Sequence, residues 1–515
     1  MTKLITLFAV STAAILIRIY YLSSYSFPFP QDMGRDLLWA KDISFYFKPT
    51  LIGPAASIWG VYFGPLWFYF LSVPLKIFGG HPISAVYATQ FLIILSGVLA
   101  FILFEKGNKP FAFLLTVIIL FNSLLISLST FAFHANALPI LTLFVIFFFY
   151  KAVIKNPLNL AVVAFFVSLM FHADPAPAFV FTLIIPILIF IFRLFEKKNF
   201  LKAISFSFLT YVIPFLPQIV FEFRNDFLQT RALSSYFLGK NPSLSGQLPL
   251  VERIGNRFDI LINFVIDYFA GENLFFAVLL IFLIIYGLIK FYKQFNPDFL
   301  VLFKINFYCV LLFFLIFTII NVELKGWYLY GLAIPFSFLW AASLTKVSRK
   351  LKLIFLIIFL ILNINNIYNS KKLVAFRKDP SNYNNIEKAV NYTYNNAEGK
   401  DFSVYVYTPP IYDHQYQYMF WWQGIVLKKG FPQEVTYLPE KPQYIINKEV
   451  YQKSTTKGNL IYLIIENALE NQFYAKSDWI NSFNDYKIIQ TKNINEAILV
   501  EKRVKEDINN HPGLQ

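Results

Sequence analysis

The sequence is poor in charged residues and almost free of cysteine. Only 15% of its 515 residues are Asp, Glu, Lys or Arg, whereas soluble proteins average about 25%. The one cysteine, Cys309, excludes a disulfide framework and a cysteine metal cluster. The sequence also contains no HExxH, CxxC or Asp-x-Asp motif and no glycine-rich phosphate loop. A nucleotide-sugar donor bound in a Rossmann domain is therefore disfavoured.

Apolar residues are abundant instead. They make up 57% of the chain, which has 61 Phe and a mean hydropathy of +0.54. A helix that crosses a bilayer core needs about 17–25 predominantly apolar residues. Eleven segments meet or approach that length, namely 4–22, 83–104, 110–128, 135–150, 158–172, 175–192, 203–221, 273–290, 302–321, 327–345 and 353–370. These segments predict a polytopic membrane protein.

One further segment leaves the number of crossings open. Residues 63–78 are apolar but short, and Pro65 and Pro74 interrupt them. They form a re-entrant segment, an interfacial segment or a true span, so we expect 11–13 transmembrane helices. We expect residues 4–22 to be a retained span rather than a signal peptide, because no small-residue cleavage site follows them.

The distribution of charge predicts the orientation. Residues 1–370 hold 27 basic and 14 acidic residues, whereas 371–515 hold 18 and 16. The excess basic residues lie in alternate short loops, which the positive-inside rule assigns to the cytoplasm. The net charge of +15 is thus a topology signal, and we expect no nucleic-acid partner. The same rule assigns the long loops 23–62 and 222–272 to the outer face of the cytoplasmic membrane.

These patterns predict two domains. Residues 1–370 would form an all-α transmembrane bundle, and 371–515 a small external α/β domain that follows the last span. Within the second domain, residues 402–407, 459–465, 486–490 and 496–502 are rich in strand-forming side chains. Helices are predicted over Ile386–Asn396 and Gln472–Phe483.

The first outer loop carries the main candidate site. A helix is predicted to start after Phe27-Pro-Phe-Pro30, with Asp32 available as its N-cap. Asp32 and Asp36 are then four residues apart, on one face of that helix. Such a pair suits a general base, a cation site or pairing with Arg35. The alternative is that Asp32 only caps the helix and that Asp36 is solvated.

The same loop resembles a known family. After the acidic pair come Gly53-Pro54, Gly60 and Gly64-Pro65-Leu66. This order resembles the first outer loop of the membrane-embedded GT-C glycosyltransferases, most closely the branch of protein O-mannosyltransferases and lipid A aminoarabinose transferases. The resemblance covers roughly residues 1–370. It implies an inverting enzyme with a polyprenyl-phosphate sugar donor and with Asp32 as the general base toward an acceptor hydroxyl.

The sequence departs from the family pattern at two points. Met33 replaces the family's glutamate, so Asp36 is expected to supply the second carboxylate. Gly64-Pro65-Leu66 stands where the family commonly has His-Pro-Pro-Leu.

A lipid-phosphate leaving group needs cations and hydrogen-bond donors rather than a catalytic acid. Arg224 follows the predicted span 203–221, and Lys325, Tyr328 and Tyr330 lie at the start of the span 327–345. In the family, a basic residue and tyrosines of this late loop hold the phosphate. The alternatives are basic side chains that reach lipid headgroups and tyrosines that belong to an interfacial belt.

Further polar residues are weaker candidates. The possible substrate-binding residues are Arg35, His172 and Asp174. The alternative for the His-Ala-Asp turn is that its polar side chains are loop groups whose hydrogen bonds are satisfied within the protein. A divalent cation is a possible cofactor, because some GT-C branches use one, but no metal ligand is assigned. The aromatic run Tyr405–Trp422 suits sugar rings or the packing of the tail domain onto the membrane half.

We therefore expect an enzyme that moves a sugar from a polyprenyl-phosphate carrier to a glycan, lipid or protein acceptor outside the cytoplasmic membrane. The alternatives are a transporter or flippase of lipid-linked sugars, and a ligase of lipid-linked glycans. Transporters usually carry ionisable residues at mid-membrane and paired repeats. Here the centres of the predicted spans are nearly free of charge and no repeat is visible, which favours an enzyme. The sequence separates the ligase poorly from the first choice.

Overall fold

The computed structural model describes residues 2–238, 249–291, 297–320, 322–369, 376–446, 459–467 and 475–505. These residues form a mostly helical chain with one β-sheet near its C-terminal end. The predicted fold class, a helical membrane bundle with a small α/β domain, is therefore confirmed.

The α-helices of the described residues are mostly apolar up to residue 369. They are Thr2–Tyr25, Gln31–Tyr46, Leu66–Ile77, Ile83–Phe104, Lys109–Phe121, Ser123–Leu128, Leu138–Ile154, Leu160–Met170, Pro175–Ile191, Phe200–Val212, Leu216–Arg224, Leu228–Phe237, Leu250–Tyr268, Leu274–Tyr286, Pro297–Ile319, Ala333–Leu344, Arg349–Asn369, Tyr383–Ala397, His414–Trp421 and Lys476–Asn481.

Seven helical segments of the described residues are long and apolar enough to cross a membrane. They are Ile5–Tyr25, Ile83–Phe104, His134–Ile154, Phe200–Arg224, Pro297–Ile319, Gly326–Leu344 and Arg349–Tyr368. Five shorter apolar helices are Leu66–Ile77, Lys109–Phe121, Pro157–Met170, Pro175–Ile191 and Leu274–Ile289. Together they account for the eleven predicted segments and for residues 63–78. Since only seven meet the length requirement, the predicted 11–13 crossings stay a prediction.

The predicted segment 110–128 is interrupted at Asn122. This residue has an extended backbone (ψ 133°), and its side chain accepts a hydrogen bond from Leu125 N (3.1 Å), which caps the next helix. Its amide group also donates to the Tyr268 carbonyl (2.7 Å). A buried asparagine that satisfies both roles ends one helix and starts another.

Contacts divide the chain into two compact units. The first consists of Met1–Tyr20, Thr50–Trp67 and Tyr87–Ser370. Its helix Ala333–Leu344 is buried along its whole length, and the Trp340 indole donates to the Leu280 carbonyl (3.0 Å). Buried Trp usually finds such a partner for its N–H group.

The second unit consists of Tyr21–Pro49, Phe68–Val86 and Lys371–Gln515. It thus joins much of the first long loop to the segment that the sequence assigns to an external domain. Its sheet has the strand order β2-β1-β3-β5-β4, and the strands are β1 Ser403–Tyr407, β2 Glu434–Thr436, β3 Leu460–Glu466, β4 Tyr486–Asn493 and β5 Ile498–Lys505.

The strand pairing explains which strands are buried. β1 pairs in parallel with β2 and β3, whereas β5 pairs antiparallel with β3 and β4. Every residue of β1 and β3 is buried, as expected of strands covered on both faces. All four predicted strand runs are present. The predicted helix Gln472–Phe483 is shorter, Lys476–Asn481, and residues 472–474 lie outside the described residues.

Within the second unit, the helix Gln31–Tyr46 (the first-loop helix) packs against the helix His414–Trp421 (the tail helix). A Cβ atom on Gly34 would lie 2.4 Å from the backbone nitrogen of Gln415. Only glycine therefore allows this approach of the two backbones.

A buried lysine strengthens the same contact. Lys41 is fully buried and pairs with Asp42. Its ammonium lies 5.3 Å from the centre of the Tyr46 ring and 5.7 Å from that of Trp421, and the Trp421 indole donates to the Tyr46 hydroxyl (2.8 Å). These contacts fix the first-loop helix, and with it the acidic pair.

Candidate active site

The first-loop helix begins one residue before the acidic pair. Gln31 is its first residue, and Pro30 precedes it with an extended backbone (φ −72°, ψ 170°). The Pro30 carbonyl accepts the first helical hydrogen bond, from Gly34 N (3.0 Å). Asp32 thus lies in the first turn and is not the N-cap, so that interpretation is wrong. A negative charge in the first turn still favours the helix dipole.

Arg35 bridges the two carboxylates. Its Nη1 donates to Asp32 Oδ1 (2.9 Å), while Nε and Nη2 both donate to Asp36 Oδ1 (2.9 and 2.8 Å). The Asp36 side chain is only 1% exposed, whereas that of Asp32 is 45% exposed. The alternative of a solvated Asp36 is therefore wrong. The guanidinium makes two like charges one turn apart tolerable.

Burial and nearby charges shift the pKa values of Arg35 and His414. Burial acts to lower the pKa of Arg35, but the charges of Asp36 and Asp32 raise it overall. Burial and the Arg35 charge together lower the pKa of His414 to about 4, so this ring is neutral at pH 7. Within the described residues, Asp32 Oδ2 has no hydrogen-bond partner. An accessible carboxylate held in place by a permanent cation is suited to accept a proton from a hydroxyl.

Three of the other predicted residues come together in the first unit. Lys325 precedes the 3₁₀ helix Gly326–Leu332, and its ammonium lies 5.1 Å from the centre of the Trp327 ring. Burial raises the pKa of Asp174 to about 7, against the opposing influence of the Lys325 charge. Asp174 also lies within electrostatic range of the Tyr328 hydroxyl. The structure thus gathers a cation, a phenol and a carboxyl group.

Tyr330 and Arg224 have different surroundings. Tyr330 packs against the hydrophobic core of the first unit. Arg224 is exposed at the end of the helix Leu216–Arg224. No hydrogen bond or ion pair among the described residues joins Arg224 to Lys325 or Tyr328. Their predicted contacts with the donor phosphate stay predictions.

His172 contacts the backbone through both ring nitrogens. Its Nδ1 accepts from Leu66 N (3.3 Å), which leaves Nε2 to donate to the Pro214 carbonyl (3.0 Å). A Cβ atom on Gly64 would lie 1.9 Å from Nδ1. These contacts favour the alternative stated above, in which His172 is a satisfied polar group of a loop. In the structure its partner on one side is the Gly64-Pro65-Leu66 turn.

Two arginines that sequence reasoning missed lie on the helix Leu250–Tyr268. Arg253 Nη1 donates to the Thr318 carbonyl (2.9 Å), and Arg257 Nη2 to the Val322 carbonyl (2.6 Å). Their buried Nε atoms have no partner among the described residues. Burial and the Arg253 charge lower the pKa of Arg257. The available signal was two arginines four residues apart on an amphipathic helix of the second long loop.

The described part of the chain offers no obvious metal centre. No group of three or more His, Cys, Asp or Glu side chains within it could hold a metal ion. The structure therefore assigns no ligand to the divalent cation considered above.

Comparisons with known proteins identify structural neighbours. No known family profile and no curated protein matches the sequence. The structure resembles that of apo ArnT from Cupriavidus metallidurans, with a TM-score of 0.64 at 9% identity over 98% of each chain. It also resembles ArnT from the same organism bound to undecaprenyl phosphate (TM-score 0.62, 10% identity, 97% of this chain and 98% of that one).

A more distant neighbour is the oligosaccharyltransferase of Archaeoglobus fulgidus in its apo form. The TM-score is 0.46 at 13% identity, over 89% of this chain and 69% of that one. This score is too low to indicate a common fold by itself. The likeness to ArnT, in contrast, extends over nearly the whole of both chains and shows a common fold.

Proposed function

Because the chain has the GT-C fold, we propose that it is an inverting glycosyltransferase that uses a polyprenyl-phosphate sugar as donor. The acceptor is a hydroxyl group of a glycan, lipid or protein, and transfer occurs at the outer face of the cytoplasmic membrane. Support comes from the likeness to ArnT, one structure of which holds undecaprenyl phosphate. Proteins that share a fold can catalyse different reactions, so the proposal also needs support from the residues of the site.

The observation that carries it is the different exposure of the two aspartates bound to Arg35. Asp32 is half-exposed and is the proposed general base, whereas Asp36 is buried and anchors Arg35. Asp32 takes the proton of the acceptor hydroxyl while the hydroxyl oxygen forms a bond to the anomeric carbon. The bond from that carbon to the phosphate oxygen breaks on the opposite face, and its electron pair leaves with the lipid phosphate.

The phosphate is held by groups of the first unit. Lys325 is the proposed cation and Tyr328 a hydrogen-bond donor, with Arg224 and Tyr330 as further proposed contacts. The charge of Lys325 acts on Asp174, which is proposed as its electrostatic partner. Arg257 adds positive charge at Val322, three residues before Lys325, and Arg253 adds it at Thr318. Such preorganised cations stabilise the charge that develops on a leaving phosphate.

Donor binding is tested with Lys325→Ala in proteoliposomes. Loss of one charge-assisted contact should raise the donor KM about 10- to 100-fold. Lys155→Ala, at an exposed position far from Lys325 in sequence and in a predicted cytoplasmic loop, is the matched control. An unchanged donor KM in Lys325→Ala would remove Lys325 from the proposed phosphate site.

A further inference from the structure

The second unit contains a cavity at the carboxyl ends of β1 and β2. Its volume is about 370 Å³. Residues 411–413, which follow β1, form one wall, and residues 436–438, at the end of β2, form another. Ligands of open α/β sheets bind outside the carboxyl ends of parallel strands. None of the residues assigned above to sugar transfer lines this cavity.

Two buried polar atoms of the lining have no protein partner. Asp413 is 3% exposed; its Oδ1 accepts from Gln417 Nε2 (2.8 Å), but Oδ2 has no hydrogen bond within the described residues. The Thr436 hydroxyl, in a residue 1% exposed, has none there either. Buried polar groups are nearly always paired, so two unpaired groups in the wall of one cavity indicate a ligand with hydrogen-bonding groups. Both atoms are closed off from the cavity in this conformation, so the ligand reaches them only when the two side chains rotate.

Tyrosine rings supply the rest of the lining. Tyr412 and Tyr444 are both exposed, and each contacts the His414 ring, at centroid distances of 5.5 and 4.6 Å. Tyr437 is buried in the wall. Tyrosine combines an apolar ring face with a polar edge, which matches a sugar ring with its C–H face and its equatorial hydroxyls.

The backbone at the cavity is strained as well. Ile411 has φ +69°, a left-handed conformation that is a true outlier for a β-branched residue. Strained residues of this kind cluster at ligand sites.

We propose that this cavity binds a neutral saccharide unit of one or two sugars, with Asp413 and Thr436 as hydrogen-bond partners of its hydroxyls. The volume lies at the lower end of the range for ligand pockets, about 300–1,000 Å³. The lining contains both Lys441, which disfavours a cationic ligand, and Asp413, which disfavours an anionic one. A neutral ligand is therefore favoured. Burial raises the pKa of Asp413 to about 7, so near neutral pH this carboxyl can donate to a hydroxyl or accept from one. The proposal stands independently of the sugar-transfer reaction.

The test uses the full chain in nanodiscs and saturation-transfer-difference NMR. The probes are methyl pyranosides and a set of neutral disaccharides, and any binder is then titrated. We expect at least one to bind with a Kd below about 10 mM. Thr436→Val should weaken that binding at least 10-fold without lowering Tm, because it removes an unpaired buried hydroxyl. Tyr444→Ala should weaken it as well.

Two variants serve as controls. Thr393→Val changes a buried threonine of the helix Tyr383–Ala397, whose hydroxyl donates to the Val390 carbonyl (2.7 Å), and binding should not change. Asp32→Asn should also bind normally, since Asp32 does not line the cavity. A saccharide lost with Asp32→Asn but kept with Thr436→Val occupies the transfer site and overturns the proposal.

Two other results overturn it. One is that no probe binds the wild-type protein at 10 mM, because a site with the expected Kd below about 10 mM would be at least half occupied there. The other is equal binding in wild type, Thr436→Val and Tyr444→Ala. If Thr436→Val fails to fold, Tyr444→Ala decides alone, because its side chain is exposed at the cavity.

Discussion

Arg35 gives two neighbouring aspartates different roles. It binds both, but Asp36 lies in the protein interior and Asp32 remains accessible. The guanidinium is a permanent cation that donates hydrogen bonds to both. The buried partner fixes the arginine, and the arginine fixes the accessible carboxylate.

This division predicts different effects on stability. Asp36→Asn should lower the free energy of unfolding by about 1.5–3 kcal/mol, the usual range for a hydrogen bond to a charged group. Asp32→Asn should cost less than about 1 kcal/mol, because exposed ion pairs contribute little. Thermal unfolding of the two variants in detergent measures both. Equal losses of Tm would contradict the assignment of Asp36 as the anchor.

The buried carboxyl of Glu466 predicts a pH dependence. Glu466 ends β3 and accepts from the Tyr416 hydroxyl (3.0 Å). Burial raises its pKa from the ordinary 4.5 to about 8, so between these values the folded state keeps a proton that the unfolded state loses. Stability therefore falls as the pH rises through this window, by at most about 1.4 kcal/mol per pH unit.

Glu466→Gln removes this dependence. The difference between the Tm of Glu466→Gln and that of wild type should therefore grow in favour of the variant as the pH rises from 5.5 to 8. Thermal unfolding at several pH values in that interval checks the prediction, and parallel Tm profiles for the two proteins would show that Glu466 does not hold the extra proton.

Local spacing could reveal the acidic pair but not its surroundings. Residues 32, 35 and 36 are neighbours on any helix, so their proximity follows from the sequence. The burial of Asp36 depends on long-range packing, which includes the contact of Gly34 with Gln415. The N-cap was misplaced because Pro30 already supplies the extended residue before the helix.

At the scale of elements, the contact between the first-loop helix and the tail helix positions the site. Gly34→Ala would place a methyl group 2.4 Å from Gln415 N and should cost about 1–3 kcal/mol, as overpacking commonly does. Sugar transfer should fall with it, because Asp32 and Asp36 lie on the displaced helix. Tm and turnover together test this.

Gly255→Ala is the matched control. Gly255 is also inside a helix, but a Cβ atom there would meet no atom within 4 Å. The change should stabilise the protein by about 0.5–1 kcal/mol, because alanine is the better helix former. If both variants behave alike, the close contact at Gly34 does not limit stability.

Helix positions were largely predictable, since long apolar runs leave few alternatives in a membrane. The break at Asn122 was not, because it depends on a hydrogen bond to the Tyr268 carbonyl, a distant residue in sequence. The arginines at 253 and 257 were missed for a similar reason: their partners are carbonyls near the end of another helix.

At the scale of the whole molecule, the GT-C fold implied by one loop is confirmed over nearly the full chain, although identity to ArnT is only 9%. Apolar periodicity and loop order persist at such identity, whereas individual side chains do not. The fold was therefore predictable, while the roles of Lys325, Arg224 and Tyr330 are not transferable and stay proposals.

The orientation of the chain is testable because its one cysteine, Cys309, is buried. In a Cys309→Ser background, Asp401→Cys in the second unit should react with a membrane-impermeant maleimide in intact cells. Lys350→Cys, in a predicted cytoplasmic loop, should react only after permeabilisation. Both positions are exposed. The opposite labelling pattern would reverse the predicted topology.

The most direct test of the central claim is a transfer assay in proteoliposomes. Wild type, Asp32→Asn and the exposed control Asp401→Asn receive a panel of radiolabelled polyprenyl-phosphate sugars, with and without chelator, and label that leaves the carrier is measured. We predict release by wild type and Asp401→Asn, and a loss of at least about 100-fold in Asp32→Asn, the usual contribution of a general base. Near-wild-type release by a folded Asp32→Asn, or no release from any donor by the wild-type protein, would contradict the account.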